Sequence, residues 1–256
     1  MTTDEQQLCT GWLPYADDAV KLKFEAYADV NALLPKIPTD AFGHEEWTPP
    51  IDWGMLGNDR YGNCVIAGGA HEHILWNRMG GKVTGFNTAD VLKDYSAITG
   101  LPPNPITGAD MKQAAVYRQK VGLLGADGQR HKIAAYLELR PGDLRQMLVA
   151  LYLFGAVGVG FRFYHQWFDA FRNHQAWAIT SGMYPTPMGH YVPIVALRGN
   201  LVGVTWGRFQ AIRPSVYVYA GRQAITYVSP EALINQKSPE GFDWDQLTAD
   251  LNLLAI

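Results

Sequence analysis

Apolar periodicity changes character near the middle of this 256-residue chain. Before about residue 155, apolar residues recur at helical spacing in blocks closed by glycine. Cys64–Met79 is stopped by Gly80-Gly81, Thr88–Thr99 by Gly100 and Asp110–Lys120 by Gly122. Asp143–Phe154 starts on an aspartate and is followed by Gly155. Beyond that point, Val157–Phe163, Tyr191–Leu197, Leu201–Trp206 and Ala224–Val228 read as strands, with Gly199-Asn200 as a hairpin turn. His131–Leu139 reads as a strand or short bridge between the halves. A helical half followed by a strand half in one chain is the order of an α+β protein. Residues 1–50 are punctuated by Leu13-Pro14, Leu34-Pro35, Ile37-Pro38 and Pro49-Pro50, which oppose helix continuation. They read as an extended lead-in that wraps the body, with room for one short helix in Ala26–Leu34. Ser229-Pro230-Glu231 reads as a helix start, and the tail carries Trp244 and a weak final helix.

The first of the confident helices opens on a cysteine. Cys64 follows Gly62-Asn63 and begins the run CVIAGGAHEHILWNRM. A thiol at a helix N-terminus lies at the positive end of the backbone dipole, among N–H groups with no helical partner. Both favour the thiolate, which is the nucleophilic form. The pair Gly68-Gly69 costs roughly 1 kcal/mol per glycine against alanine, which implies close packing on that face. Asn58, six positions before the cysteine, carries an amide donor. His190, 126 positions after it, leads into an apolar strand. A thiolate, an imidazole base and an oxyanion donor are the parts of cysteine-nucleophile catalysis. Each residue also has a plainer reading. Cys64 is then a buried structural thiol, His190 a core histidine and Asn58 a turn residue in Gly57-Asn58-Asp59.

Other features weigh less. In His71-Glu72-His73 the histidines are two apart and do not share a helix face, so the triplet reads as solvated or core-bonded, with no metal. The aromatic run Tyr164–Trp177 reads as a groove lining, an interface or lobe packing. Cys9 lies in a polar stretch with no recognisable partner. A net charge of -3 and a pI near 6.1 give no nucleic-acid footprint. Two cysteines argue against a disulfide framework and fit a reducing compartment. The run Met147–Phe161 is too short to span a bilayer. The polar N-terminus lacks the basic and apolar regions of a signal peptide. The location expected from these features is therefore cytoplasmic.

With these residues in place, the chain resembles the papain-like cysteine peptidase superfamily. Asn58 stands where that family has a glutamine, and Gly62 matches its glycine two before the cysteine. Ala67 roughly matches its alanine. Gly189-His190-Tyr191-Val192 matches its Gly-His-Ala-Val strand, and Val204-Thr205-Trp206-Gly207 partly matches its Asn-Ser-Trp-Gly. The separation of Cys64 from His190 is close to the papain-type range of roughly 130 to 150 residues. Over about residues 30–232 the chain also resembles an uncharacterised bacterial and phage papain-like group, through Trp53–Asp59 (WGMLGND) and Val-Thr-Trp-Gly.

The resemblance implies a papain-like two-lobe α+β fold in a domain of about residues 51–233. A helical lobe would span about 51–130 and an antiparallel β-barrel-like lobe about 131–233, with a tail from 234 to 256. It implies Cys64 as nucleophile and His190 as base. Asn58 and the Cys64 N–H would hold the oxyanion, and Trp206 would shield the histidine. The position of the histidine-orienting residue falls on Val204, which cannot accept a hydrogen bond. Thr205 is then a weak substitute, or a residue elsewhere orients the histidine, or the site is a Cys–His dyad, or activity has been lost. The implied function is hydrolysis of peptide or amide bonds with no cofactor, acting on a peptide or protein substrate. Acyl transfer and cell-wall amide cleavage use the same dyad. The alternative is a papain-fold structural or binding protein without activity, such as a virion component with protein assembly partners.

Overall fold

The computed structural model describes residues 8–44, 46, 50–232 and 242–254. Residues 1–7 of the expected lead-in, with 45 and 47–49, lie outside the described residues. So do 233–241 and 255–256, which take in part of the expected tail. The described helices are α1 (Val30–Leu33), α2 (Cys64–Met79), α3 (Thr88–Thr99), α4 (Met111–Lys120), α5 (Leu144–Phe154), α6 (Gln166–Arg172), α7 (Pro214–Ala220) and α8 (Trp244–Leu254). The strands are β1 (Trp12–Leu13), β2 (Ala41–Gly43), β3 (Ala109–Asp110), β4 (Leu123–Leu124), β5 (Arg130–His131), β6 (Ala135–Leu139), β7 (Val157–Phe161), β8 (His190–Arg198), β9 (Asn200–Thr205), β10 (Arg208–Ile212) and β11 (Gly221–Val228). None of the described helices is long and apolar enough to cross a membrane.

Local chemistry sets the helix starts. The Asp110 carboxylate accepts the N–H groups of Lys112 and Gln113, and that of Asp143 accepts those of Arg145 and Gln146. Both satisfy donors that a helix start leaves without a backbone partner. The main sheet runs β10–β9–β8–β7–β11–β6 and is antiparallel at every pairing, with β2 added along the end of β8. Two small ribbons, β1 with β3 and β4 with β5, join peripheral segments.

The sheet has a core on each face. Tyr191, Val195, Val204, Ile225 and Tyr227 pack with α2, α3 and α4. Val192, Ile194, Val159 and Ala224 face the other way, toward α5 and α6. Side chains alternate faces along a strand, so strands covered on both sides read as unbroken apolar runs, as β8 does. The N-terminal stretch feeds both cores: Trp12, Tyr15 and Val20 enter the first, and Phe24, Tyr27 and Leu33 the second.

Helix α2 is buried along its whole length from Cys64 to Asn77. Its polar members therefore need internal partners. His71 Nε2 lies 3.0 Å from the Gly54 carbonyl, and Glu72 accepts the Tyr191 hydroxyl at 2.6 Å and pairs with Arg118 at 2.7 Å. His73 and Asn77 both reach Glu231. The three members of His71-Glu72-His73 thus serve separate partners: Gly54, the Tyr191–Arg118 pair, and Glu231. A Cβ on Gly68 would lie 2.5 Å from the Tyr191 ring. The glycine lets β8 lie directly on the helix backbone, and this brings the histidine-bearing strand to the cysteine.

Candidate functional site

Cys64 begins α2 above a loop that is pinned at several points. The Asn63 amide donates to the Leu56 carbonyl at 2.9 Å, and the Gly62 N–H donates to Asn104 O at 2.9 Å. From the sheet side, the Tyr191 N–H donates to the Cys64 sulfur at 3.4 Å. His190 is the first residue of β8, paired with Phe161 of β7. Its Nε2 lies 2.6 Å from Thr205 Oγ1. Alternation along β9 explains why Thr205, and not Val204, meets the histidine: Val204 turns into the core around α2, and the next side chain points the other way.

Trp206 and Gly207 form the two-residue turn between β9 and β10, where Thr205 pairs with Arg208. Both carry positive φ, 47° and 76°, as a type I′ hairpin turn requires. Tryptophan pays about 1 kcal/mol or more for that backbone region. The turn lays its indole flat on the His190 ring, with centroids 4.3 Å apart at 17°. Phe163, Phe171 and Trp177 pack around this stack. Trp167, Phe171 and Trp177 are buried, so this part of the aromatic run is the internal floor beneath the histidine and not a groove lining or interface.

The N-terminal segment crosses the same place. The Cys9 N–H donates to Asn58 O at 3.1 Å, and the Cys9 carbonyl accepts the Asn58 side-chain amide at 3.3 Å and the Trp206 indole N–H at 3.1 Å. The N–H groups of Gly11 and Trp12 both donate to Gly189 O, at 3.0 and 2.9 Å, and Gly11 O accepts the Ala109 N–H at 2.8 Å. Residues 9–12 therefore bridge the loop that carries Asn58 and the strand that carries His190. Gly11 sits so tightly on Gly62 that a Cβ there would overlap the Gly62 carbonyl. Cys9, which had no recognisable partner in the sequence, is buried, and its thiol lies 3.5 Å from Asp59 O. No sequence motif marks this strap, because its partners are backbone groups far along the chain.

Burial governs the electrostatics. It pushes the Cys64 thiol up to about 12, against the opposing pull of N–H groups from Tyr191, Gly11, Val65 and Cys64 itself. The expected bias of the helix terminus toward thiolate is thus outweighed by the burial of the sulfur. Burial likewise lowers His190 to about 3. Thiol and imidazole are both neutral near pH 7. His190 Nδ1 is buried and makes no hydrogen bond, to the Cys64 sulfur or to any other described group, so no thiolate–imidazolium pair forms here.

No family profile matches the chain, and no curated protein resembles it in sequence. Solved structures do. Xylellain, a cysteine protease from Xylella fastidiosa, superposes with a TM-score of 0.68 at 13% identity, over 90% of this chain and 99% of that one. The fold is papain-like. A procathepsin B from Trypanosoma congolense (TM-score 0.57, 12% identity, 89% and 87% covered) and a recombinant stem bromelain precursor (0.57, 11%, 88% and 78%) show the same architecture. In this papain-like fold, Cys64 heads α2, His190 and Thr205 come from strands β8 and β9, and Trp206 from the turn that follows β9.

Proposed function

We propose that this protein is a cysteine hydrolase of peptide or amide bonds, held closed by its own N-terminal strap. The reading rests on one observation: the Cys9 carbonyl is gripped by two donors, the Asn58 amide and the Trp206 indole, beside the head of α2. Converging donors of this kind suit an oxygen on which negative charge develops. The papain-like fold of proteins described as cysteine proteases adds support, although a fold alone does not assign an activity.

The reaction follows from the residues. Departure of the strap admits water to Cys64 and removes the main cause of its raised pKa. Thr205 Oγ1 accepts the His190 Nε2–H, and this leaves the lone pair on Nδ1 to take the thiol proton. The thiolate adds to the substrate carbonyl carbon, and the oxyanion is held by the Asn58 amide and the Cys64 N–H. Imidazolium then protonates the leaving amine as the C–N bond breaks. Water, deprotonated by His190, cleaves the thioester and returns the thiol. Trp206 keeps bulk water from the imidazole. Thr205 supplies the orienting hydrogen bond that Val204 cannot.

The second reading, a non-catalytic papain-fold binding or virion protein, draws on the unpartnered Nδ1 of His190. A peptide-library cleavage assay separates the two, using the full chain, a Gly11→Ala variant that displaces the strap, and a Cys64→Ser control. Cleavage by the Gly11→Ala protein and none by Cys64→Ser is the expected outcome. If the strap is displaced and Cys64 is open to alkylation, yet no peptide or amide is cut, the hydrolase reading fails.

A further inference from the structure

Away from the cleft, three segments bring nitrogen and carboxylate donors to one point. His73 comes from the buried helix α2, His131 from β5, and Glu231 from the 3-10 turn Pro230–Ala232 that follows β11. His73 Nδ1 lies 2.8 Å from Glu231 Oε2, and His131 Nδ1 lies 2.5 Å from Glu231 Oε1. One donor atom from each residue falls within 4.8 Å of the other two. We infer that His73, His131 and Glu231 form a binding site for a divalent transition-metal cation of the zinc class.

The hydrogen-bonding arithmetic favours a cation at this point. His131 Nε2 faces Asp127 Oδ1 at 3.2 Å. A carboxylate there holds the ring proton on Nε2 and leaves the Nδ1 lone pair directed at Glu231. Two lone pairs cannot face each other at 2.5 Å, so something positive must lie between them: a second proton or a metal ion. The same carboxylate also meets His73 and accepts the Asn77 amide at 2.9 Å. One carboxylate thus faces two imidazoles. That donor set, two neutral imidazoles and a carboxylate, suits zinc-class ions.

The geometry requires little adjustment. Ligand bonds of roughly 2.0–2.1 Å at a tetrahedral ion separate neighbouring donor atoms by roughly 3.3 Å. The N–O separations of 2.8 and 2.5 Å would open by less than about 1 Å, a change within reach of side-chain torsions. The rings are already held. Phe86 packs against both imidazoles and Trp76 against His73. Asp127 plays the part of the outer carboxylate that orients a ligating histidine. Glu231 is partly exposed, with a side chain 17% accessible, and this gives the ion a route in and leaves a coordination position for water. Such an ion would clip the chain after β11 onto α2, directly behind the helix that carries Cys64. The sequence reading of no metal considered histidines within one helix. These ligands are 58 and 100 residues apart in the chain.

The decisive measurement uses the full chain with Cys9→Ser and Cys64→Ser, so that no thiol competes for metal. After removal of metal, the protein is titrated with Zn2+ against a chromophoric chelator. One equivalent bound with sub-micromolar affinity is expected, weakened about 100-fold or more by Glu231→Gln. Binding that is absent, or unchanged in Glu231→Gln, overturns the site. Because Glu231 also holds His73, Asn77 and His131 in the fold, Co2+ loading of the protein with all three ligands intact provides a second reading. Tetrahedral d–d absorption without a thiolate charge-transfer band supports the site, and its absence overturns it. Neither readout depends on peptide cleavage, so the metal site and the hydrolase reading stand or fall separately.

Discussion

Replacing Gly11 with alanine is a small change that should lift residues 9–12 from the loop before Cys64. A Cβ at this position overlaps the Gly62 carbonyl oxygen, a backbone atom in the pinned loop before Cys64. The loop cannot withdraw, because Gly62 itself abuts the Thr107 carbonyl and donates to Asn104. The segment must therefore lift, losing its bonds to Gly189 and Ala109. With the Cys64 thiol at about 12 in the closed state, about one molecule in 10^5 carries thiolate at pH 7. A solvated cysteine with a pKa near 8.5 carries about 3%. The gain in thiolate is therefore on the order of 10^3. A thiolate of lower pKa is intrinsically less nucleophilic, with a Brønsted slope near 0.4–0.5, and this reduces the net gain to about 10^2. Iodoacetamide labelling at pH 7, with the modified residue mapped by mass spectrometry, measures it. Gly11→Ala should label Cys64 about 100-fold faster than the parent chain while keeping its circular dichroism. A folded Gly11→Ala protein whose Cys64 reacts at the parental rate would refute the argument that the strap sets the thiol's state.

Thr205→Val strands the His190 Nε2–H without an acceptor inside the fold, which should cost about 1–3 kcal/mol in urea unfolding; Thr205→Ser should restore most of it. Gly68→Ala drives a methyl into the Tyr191 ring at 2.5 Å. It should destabilise by about 1–3 kcal/mol, with a fall in melting temperature as the check. His190, lowered to about 3 by burial, sits below its unfolded value near 6.5. Below that pH the unfolded chain binds a proton that the folded chain refuses, so this contribution is full above pH 6.5 and is lost as pH falls toward 3. The loss should be about 2 kcal/mol between pH 7 and pH 5. His190→Gln should remove that part of the acid limb, and an unchanged limb in the variant would count against a neutral buried imidazole.

How much of this was legible in the sequence depended on the range of the forces involved. Helix α2 was readable to both ends, since Gly62-Asn63 before it and Gly80-Gly81 after it act within a turn. The starts of α4 and α5 were equally local, written in Asp110 and Asp143. The close approach at Gly68 was foreseen from the cost of a glycine in a helix, but Tyr191 as its occupant was not. Helices α6 and α7 and strand β10 were not recognised. In Gln166–Arg172 and Pro214–Ala220 the aromatic and β-branched residues have weak helix preference, and tertiary packing decides. Placing Val204 at the orienting position followed from alignment alone, whereas strand alternation turns Thr205 toward the imidazole. The strap and the His73–His131–Glu231 cluster are joined only by contacts across long stretches of chain, and no periodicity encodes such contacts.

If residues 9–12 cover the substrate-binding face as proposed, they act as a competitor that dilution cannot remove, because they belong to the same molecule. A short tether presents such a segment at an effective concentration of about millimolar. Any incoming ligand must bind the minor, uncovered population, and its apparent dissociation constant is its intrinsic value divided by that fraction. If the covered form is favoured by about 3 kcal/mol, the uncovered fraction is about 1% and every ligand of the groove binds about 100-fold more weakly than its contacts allow. Affinity for any such ligand then rests as much on the grip of Asn58, Gly189 and Trp206 on residues 9–12 as on the contacts that the ligand itself makes.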